Sequence, residues 1–298
     1  MKHVDLPCVG TLGAMSSPAI TYLDHAATTP MRREALEAML PFYTGRFGNP
    51  SGTHRVARDA RRAIDEARDV VAHVVGCRPA EVVFTGCGTE ADSTAILGVL
   101  DRRGGTAVCS SAEHHAVLHV VEHVGGRVIG VDRAGCIDPD GLAAALDDSV
   151  GVVSVMAVNN EVGSITPMDR VVDIVRRCAP RAVLHSDAIQ APLWIDLRSL
   201  WSNVDLLSLS AHKFGGPKGV GVLVVREGVA ISPLLQGGGQ EHDRRSGTHN
   251  VAGIVAMATA LRLTDEHRTA DNERIGALRD RLVDGLIDRI PGAIETVR

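Results

Sequence analysis

The chain has 298 residues, of which 45% are hydrophobic and 22% charged, and its mean hydropathy is +0.07. This length allows one large domain plus a smaller one, and the composition is typical of a globular protein with a sizeable core. No apolar run approaches the roughly 18 residues of a membrane-spanning helix. The formal charge is −5 and the basic residues are scattered, which argues against electrostatic binding of nucleic acid. We therefore expect small ligands, with no membrane and no nucleic acid among the partners.

The first 19 residues are predicted to form a flexible leader, because Pro7 and Pro18 interrupt them and they lack the continuous apolar segment of a secretion signal. The cysteines are widely spaced and form no C-x-x-C pair; they are Cys8, Cys77, Cys87, Cys109, Cys136 and Cys178. Such cysteines without a signal peptide are typical of a reducing compartment. We expect a cytoplasmic protein.

The predicted elements begin with a helix over residues 54–75, where apolar residues recur at helical spacing opposite arginine and aspartate. From about residue 80, short β-branched runs alternate with helical patterns, which predicts an α/β fold with a mostly parallel sheet. The predicted strands are Glu81–Thr85, Thr106–Cys109, Arg127–Val131, Gly151–Val158, Ala182–Ser186, Val204–Ser210 and Val220–Val225. A long helix is predicted over residues 250–290, until Pro291 and Gly292 end it.

The loop after the first predicted strand, residues 85–91, is glycine-rich and opens a helix. The backbone N–H groups at the start of a helix, together with the hydroxyl of Thr89, form a site for a phosphate. The same G-x-G-x-x-A spacing suits a dinucleotide-binding fold, but no acidic residue clearly ends the next strand. A glycine turn that packs the strand against the helix is the other alternative.

The second predicted strand leads to His114 and His115, at the edge where a parallel sheet presents residues to a ligand. An imidazole in this place can stack on a flat ring or move a proton. His115, His119 and His123 also share one helix face, a spacing that permits a metal site. Because no glutamate follows His115 as in H-E-x-x-H, solvated histidines are the favoured interpretation, and we expect no metal.

Polar residues also follow the fourth and fifth predicted strands. Asn159 and Asn160 come after the fourth, and Asp187 and Gln190 come after the fifth. A carboxylate in this place can hold a protonated ring nitrogen, and an amide can bind a ring hydroxyl. Asp187 can equally cap a following turn of helix, and the two roles are compatible.

Lysine is rare in this chain: three of the 31 basic residues are lysines, Lys2, Lys213 and Lys218. Arginine serves as the ordinary surface cation, so a lysine at a strand end is a candidate for the addition of an amine to a carbonyl, which arginine cannot perform. Lys213 is that candidate, since it follows the sixth strand beside Ser210 and His212. These residues also fit the S-x-x-K motif of penicillin-binding enzymes, whose K-T-G and S-D-N motifs are absent.

Five features converge on one cofactor. They are a phosphate cradle at residues 85–91, an imidazole at His114, a carboxylate at Asp187 for a ring nitrogen, an amide at Gln190 for a ring hydroxyl and an amine at Lys213 for an aldehyde. Together they predict pyridoxal 5'-phosphate.

The motifs around these residues resemble those of the cysteine desulfurases, in the class V aminotransferase family. The resemblance is carried by YLDHAATTP (22–30), FGNPS (47–51), GTEAD (88–92), EHHAVL (113–118), NNEVG (159–163), HSDAIQ (185–190), SAHKFGGPKGVG (210–221), GGGQE (237–241) and RRSGTHNVAGI (244–254). It implies the type I fold of pyridoxal-phosphate-dependent transferases. A large cofactor-binding domain then spans residues 20–253, and residues 254–298 form a long linking helix and the remnant of a small C-terminal domain.

The resemblance also implies roles for the matching residues. Lys213 binds the cofactor aldehyde covalently and moves a proton, and His114 stacks on the cofactor ring, which makes these two the catalytic residues. Asp187 pairs with the ring nitrogen and Gln190 with the ring hydroxyl. The other implied cofactor-binding residues are Gly88, Thr89, Asn160, Ser210 and His212, with Thr248 reaching the phosphate from the partner subunit of a homodimer.

The implied activity converts L-cysteine to L-alanine and transfers the sulfur through a persulfide, for iron–sulfur clusters or thiolated tRNA. A sulfur-acceptor or scaffold protein is the implied further partner. The open alternatives are another class V reaction, by an aminotransferase or a carbon–sulfur lyase, and a non-catalytic cofactor-binding scaffold subunit.

One departure from the family concerns the C-terminal domain, whose mobile loop carries the sulfur-accepting cysteine and whose arginine binds the substrate carboxylate. Both are expected beyond Arg298, so we expect a truncated small domain and exposed apolar faces on the last helix. Cys87 is the one thiol near the phosphate loop that could substitute. The favoured interpretation is nevertheless that Cys87 is a small buried residue.

Overall fold

The computed structural model describes residues 20–295, so the predicted leader over residues 1–19 and the last three residues lie outside the described part of the chain. All seven predicted strands are present in it and form a single sheet. Their bounds are Val82–Thr85 (β1), Thr106–Ser110 (β2), Arg127–Ile129 (β3), Val150–Ser154 (β4), Val183–Asp187 (β5), Leu206–Ser210 (β6) and Gly221–Val225 (β7).

The strand order across the sheet is β1-β7-β6-β5-β4-β2-β3. β7 runs antiparallel to both of its neighbours, and every other pair of neighbours is parallel. The prediction of an α/β fold with a mostly parallel seven-stranded sheet is confirmed. The parallel strands end at one edge, so the loops after β2, β5 and β6 come together there.

Eight α-helices surround the sheet within residues 20–295. Their bounds are Arg33–Met39 (α1), Arg55–Val75 (α2), Gly88–Arg103 (α3), His115–His123 (α4), Pro139–Ala145 (α5), Met168–Cys178 (α6), Leu197–Asn203 (α7) and Val251–Arg289 (α8). The two predicted helices correspond to α2, which His54 caps, and to α8, which Asn250 caps. In both, a side chain accepts a hydrogen bond from an N–H group of the first turn, which fixes the start of the helix.

Helices cover both faces of the sheet, as the doubly apolar strands predict. α3 and α4 pack on one face, where Ala91, Ala95 and Ile96 meet strand residues such as Val152. The helices α1, α2, α5, α6 and α7 and the first half of α8 pack on the other face. Burial on both sides fixes the sheet as a rigid platform, from whose edge the loops project.

The fourth strand is shorter than predicted, because the ladder ends at Ser154 rather than at Val158. The next residues remain extended, since the N–H groups of Val155 and Ala157 donate to main-chain carbonyls of β5. Val158 then bridges Ile165 in an antiparallel turn. The asparagines at positions 159 and 160 therefore lie on a hairpin beyond the strand rather than at its end.

The second half of α8 carries an apolar stripe at the surface. Its side chains are Ile275, Leu278, Leu282 and Leu286, with exposed fractions between 36% and 63%. This exposure matches the expectation for the apolar faces of the last helix. Between residues 20 and 295, no helix combines the length and the apolar character needed to cross a bilayer.

A strained turn lies before α8. Glu241, His242 and Asp243 have φ angles of 49°, 57° and 63°, a left-handed conformation that residues other than glycine rarely adopt. Buried Glu241 anchors this turn, since Arg68 donates to both of its carboxylate oxygens at 2.6 and 2.9 Å and the N–H of Phe84 donates to Oε2 at 2.8 Å. This set of charge-assisted hydrogen bonds offsets the backbone strain.

Replacement of this anchor, Glu241→Gln, is expected to lower the free energy of unfolding by about 3 kcal/mol at pH 7. Burial alone would raise the pKa of Glu241, but hydrogen bonds from His249 and Arg68 outweigh it and lower the pKa to about 2. The carboxylate therefore stabilises the folded chain above the unfolded pKa of 4.5, and this stabilisation is lost as the pH falls towards 2. Urea denaturation of both proteins from pH 3 to 7 measures the difference in their free energies of unfolding. A difference that does not change with pH would contradict this account.

Candidate active site

A cleft of about 240 Å³ opens at the edge of the sheet where β2, β5 and β6 end. It is lined by Ala27, Cys87, Gly88, Thr89, His114, Met156, Asn160, Asp187, Ile189, Gln190, Ser210, His212 and Lys213. Nine of the ten residues predicted to bind the cofactor are in this set. The topology of the sheet brings them together from segments more than 100 residues apart in the chain.

One end of the cleft has the properties of a phosphate site. Cys87 precedes α3 without capping it by a side chain, so the first N–H groups of this 16-residue helix face the cleft. Thr89 and Ser210 add hydroxyl groups at the same end. The lack of a side chain at Gly88 lets Ile189 pack close to the start of α3, since a Cβ atom at position 88 would lie 2.3 Å from Ile189 Cδ1.

Lys213 also lines the cleft, where backbone carbonyls hold its amine. Its Nζ donates to the carbonyl oxygens of Ala26 at 2.6 Å and Ala27 at 3.0 Å. Burial lowers the pKa of Lys213 more than the nearby charges of Asp187 and Asp24 raise it. A larger fraction of neutral amine is therefore available for addition to a carbonyl or for proton transfer.

The segment 22–30 was noted for its motif, but its contribution to the cleft was not predicted. Thr29 ties this segment to the lysine loop, since its N–H and its hydroxyl both donate to the carbonyl of His212, at 2.9 and 2.8 Å. Gln190 Nε2 donates to the carbonyl of Ala26 at 2.8 Å. These contacts are made to main-chain oxygens, so the identities of the side chains at those positions do not predict them.

Asp187 is the buried carboxyl group of the cleft, with 2% of its surface exposed. Oδ1 accepts the N–H of Ile189 at 2.9 Å, so the turn-capping role is present; no donor from the described residues reaches Oδ2. Burial raises the pKa of Asp187 to about 6, although the Ile189 N–H and the charge of Lys213 lower it. At neutral pH the group is mainly a carboxylate, which can hold a cation in the cleft.

His114 presents a neutral ring to the cleft. Its Nδ1 accepts the N–H of Ala116 at 3.1 Å, which caps α4 and leaves the ring proton on Nε2. Burial and the charges of Lys213 and His115 lower the pKa of His114. A fixed neutral imidazole suits stacking on a flat ring.

The side chain of Cys87 is exposed, which corrects the expectation of a small buried residue. The backbone of Cys87 is extended and immediately precedes α3, and the residue lines the cleft. The adjacent Gly88 is the buried small residue of this loop, close to Ile189 and Ser210.

Thr248 is the one predicted cofactor-binding residue outside the cleft. It is exposed in a separate depression with Tyr43, Phe47 and Asn49. Its predicted contact with the cofactor of a second subunit stays a prediction. His115, His119 and His123 are exposed on α4, and the described residues contain no cluster of three metal-ligating side chains arranged around a common point.

The donor set of the cleft fits pyridoxal phosphate. The free N–H groups of α3 match a phosphate, the carboxylate of Asp187 matches a protonated ring nitrogen, and the amine of Lys213 matches an aldehyde. His114 supplies a neutral ring in the same cleft. All five sequence features thus line one cavity, and their individual roles towards the cofactor stay predictions.

Sheet and cleft together define a pyridoxal-phosphate-dependent α/β enzyme. The family model "Aminotransferase class-V" matches residues 21–294. The chain belongs to the class V aminotransferase family, and the resemblance drawn from the motifs is confirmed.

Curated relatives that match this chain include cysteine desulfurases. The cysteine desulfurase IscS of Dictyoglomus turgidum is 43% identical over 277 residues, which cover 90% of this chain and 70% of that protein. A solved NifS-like protein superposes with a TM-score of 0.84 at 38% identity and covers 89% of this chain and 75% of its own. A structure described as SspA in complex with cysteine has a TM-score of 0.76 at 33% identity, with coverages of 81% and 72%.

The phosphate end offers a test of cofactor fit through Gly221, since a Cβ atom there would lie 2.6 Å from the main-chain carbon and oxygen of Cys87. Gly221→Ala must displace the start of α3, so we expect the affinity for pyridoxal phosphate to fall about tenfold or more. Gly276→Ala is the matched control, because no atom lies within 4 Å of its added Cβ. Fluorescence titration with the cofactor measures both, and equal affinities would argue against a phosphate at this end.

Proposed function

We propose that this chain is a pyridoxal-phosphate-dependent cysteine desulfurase, which takes the sulfur from L-cysteine and leaves L-alanine. The observation that carries the proposal is the single cleft in which Lys213, Asp187, His114 and the start of α3 meet. Relatives at about 40% identity over nine-tenths of the chain are cysteine desulfurases, which supports this choice among the reactions of the family.

When it is bound, pyridoxal phosphate supplies an electron-withdrawing ring that stabilises negative charge at the substrate Cα. Asp187 maintains this property by holding the proton on the ring nitrogen. Lys213 accepts a proton from Cα at Nζ and returns it, and the carbonyls of Ala26 and Ala27 keep the amine within the cleft when it is free. His114 fixes the plane of the ring.

L-cysteine is the proposed substrate. The structural neighbour described with bound cysteine supports a cleft of this shape for that amino acid. Asn160 lines both this cleft and an adjacent cavity, where its amide can bind the substrate beside the cofactor. An acceptor thiolate attacks the cysteine sulfur, so an S–S bond forms as the Cβ–S bond breaks, and the electron pair left at Cβ takes up a proton to give alanine. An acceptor or scaffold protein for iron–sulfur cluster or thio-cofactor synthesis, which provides such a thiol, is the proposed further partner.

A homodimer is the proposed assembly. Thr248 lies outside the cleft of its own chain, beside Tyr43 and Phe47, which are 62% and 71% exposed. Exposed aromatic side chains of this kind are typical of protein interfaces. Their burial by a second copy would bring a Thr248 hydroxyl towards the partner's phosphate end.

A cytoplasmic location is also proposed. Cys77, Cys87, Cys109, Cys136 and Cys178 are free thiols. Free thiols persist in a reducing compartment. Sulfur transfer between thiols also requires such conditions, because an oxidised acceptor cannot attack.

Product analysis tests the proposed reaction. The chain is incubated with pyridoxal phosphate, L-cysteine and dithiothreitol, which accepts the sulfur and releases it as sulfide. We expect alanine and sulfide in equal amounts. Pyruvate with ammonia would instead assign a carbon–sulfur lyase, and a cofactor-bound chain with no product would assign a non-catalytic subunit; either result contradicts the proposal.

A further inference from the structure

A layer of buried polar groups lies directly beneath the cleft, and the chemistry described above does not use it. Asp92 on α3 and His185 on β5 are fully buried, and Glu113, in the loop between β2 and α4, is 6% exposed. The charge of Asp187, the carboxylate of the cleft, acts on both Asp92 and Glu113, and His185 lies two residues before Asp187 on β5. Three carboxyl groups, Asp92, Glu113 and Asp187, therefore share one buried region. Three negative charges there would be strongly unfavourable, because buried charge without a partner is costly.

Of the three carboxyl groups, Asp92 has the fewest hydrogen-bond partners. Neither of its carboxyl oxygens accepts a hydrogen bond from the described residues. His185 Nε2 is the nearest ring nitrogen, 3.7 Å from Oδ1. That nitrogen lies 2.9 Å from Ser208 Oγ, and the other ring nitrogen lies 2.8 Å from Ser154 Oγ, so both are already occupied.

His185 supplies no positive charge to this layer. Burial lowers the pKa of His185 to about 3, which leaves the imidazole neutral at physiological pH. Each serine hydroxyl can donate to or accept from the ring, and both tautomers are satisfied. Asp92 therefore lies beside a neutral imidazole, and burial without a cationic partner disfavours its anion.

Glu113 is half satisfied. Its Oε1 accepts the hydroxyl of Ser110 at 2.8 Å and the N–H of Met156 at 2.9 Å, while Oε2 has no partner among the described residues. Met156 lines the cleft, so Glu113 also fixes one wall of it. A protonated carboxyl group fits this pattern better than an anion, since its carbonyl oxygen accepts the two bonds and its second oxygen carries a proton instead of an unpaired buried charge.

We propose that Asp92 and Glu113 are positioning residues that remain neutral carboxylic acids in the folded protein, so that Asp187 carries the single negative charge of the three. The charge is then concentrated on the group that faces the ring nitrogen of the cofactor. This inference rests on the proposed function for the role of Asp187, although the protonation of the other two groups is independent of it.

Burial and the nearby charge of Asp187 raise the pKa of Asp92 well above its usual range, although the neighbouring hydroxyl of Ser208 lowers it. Burial raises the pKa of Glu113 to about 8, against hydrogen bonds from Met156 and Ser110. The titratable groups that face this layer are Cys87 at the start of α3, Cys109 on β2, His185 and Asp187 on β5, and Lys213 after β6. Lys213 faces Asp187, so its amine stabilises the one charged carboxylate whenever the amine is protonated.

Infrared spectroscopy tests the proposal, because the carbonyl stretch of a protonated carboxylic acid is separate from the bands of carboxylates. At pH 7, the spectrum of Asp92→Asn is expected to lack one acid band of the parent chain, and that of Glu113→Gln another. On raising the pH, the band assigned to Glu113 disappears with a midpoint near 8, while that of Asp92 persists. If the two variants lacked carboxylate bands of the parent chain at pH 7, and not acid bands, the proposal would be overturned.

Two surface substitutions serve as matched controls. Asp101→Asn, at an exposed position of α3, and Glu122→Gln, at an exposed position of α4, remove ordinary carboxylates. They are expected to reduce the carboxylate bands and to leave the acid bands unchanged. If a buried variant does not fold, the parent chain still decides the matter, since acid bands at pH 7 support the proposal and their absence contradicts it.

Rescue by an isosteric group separates a positioning role from general packing. Asp92→Asn replaces a neutral acid by a neutral amide, so we expect cofactor affinity within about twofold of the parent, whereas Asp92→Ala loses at least tenfold. Equal losses in both variants would contradict a neutral Asp92. Acid bands in a chain that binds no cofactor would refute the proposed function and leave the protonation inference standing.

Discussion

Lys213→Ala is expected to abolish cysteine turnover, with a loss on the order of 10³-fold or more. Lys213 carries the one amine among the described residues that line the cleft, and its lowered pKa favours the neutral form that adds to an aldehyde. Without it, the cofactor loses its covalent attachment and Cα loses its proton acceptor. Alanine production measured against the parent chain gives the loss, and the absorbance of the lysine-bound cofactor is expected to vanish with it.

Lys218→Ala is the matched control for this experiment, since Lys218 is an exposed lysine five residues away in the same glycine-rich segment. Its turnover and its absorbance are expected to remain within about twofold of the parent. A comparable loss in both variants, or retention of activity in Lys213→Ala, would remove Lys213 from its assigned role.

Asp187→Asn is expected to lower kcat by about 10² to 10³-fold while much of the cofactor remains bound. The amide has the shape of the carboxylate, but it cannot hold a proton on the ring nitrogen, so the ring stabilises less negative charge at Cα. The main-chain contact from Ile189 to Oδ1 can still form, which preserves the turn. Steady-state kinetics with L-cysteine separate the loss in kcat from any change in KM.

Asp173→Asn, at an exposed position of α6, tests whether loss of an aspartate in general has this effect. We expect no change in kcat for it. If Asp187→Asn reduced cofactor affinity alone and left kcat of the loaded enzyme intact, Asp187 would be a binding residue without an electronic role.

The cleft was predictable because its side chains follow strands of a parallel sheet, whose carboxyl ends meet at one edge. Lys213 stood out through the rarity of lysine, and Asp187 through its place directly after a run of buried residues. These signals depend on strand boundaries to within a few residues. They held even where β4 ended earlier than predicted, since Asn160 still reaches the cleft on its hairpin.

Other parts of the site leave little trace in a single sequence. The carbonyls of Ala26 and Ala27 hold Lys213 through the main chain, so neither alanine gives any sign of the contact. Asp92 lies within a quoted motif, but its burial follows from the packing of α3 against β5 rather than from local pattern. The exposure of Cys87 likewise depends on where the first turn of α3 begins.

The most direct measurement of the central claim is the site of covalent attachment of the cofactor. The chain is loaded with pyridoxal phosphate, reduced with borohydride to fix any lysine–cofactor bond, digested and analysed by mass spectrometry. The account predicts a phosphopyridoxyl mass on the peptide that contains Lys213, at close to one per chain. Labelling spread over Lys218 and the chain terminus, or no labelling of Lys213, would contradict it.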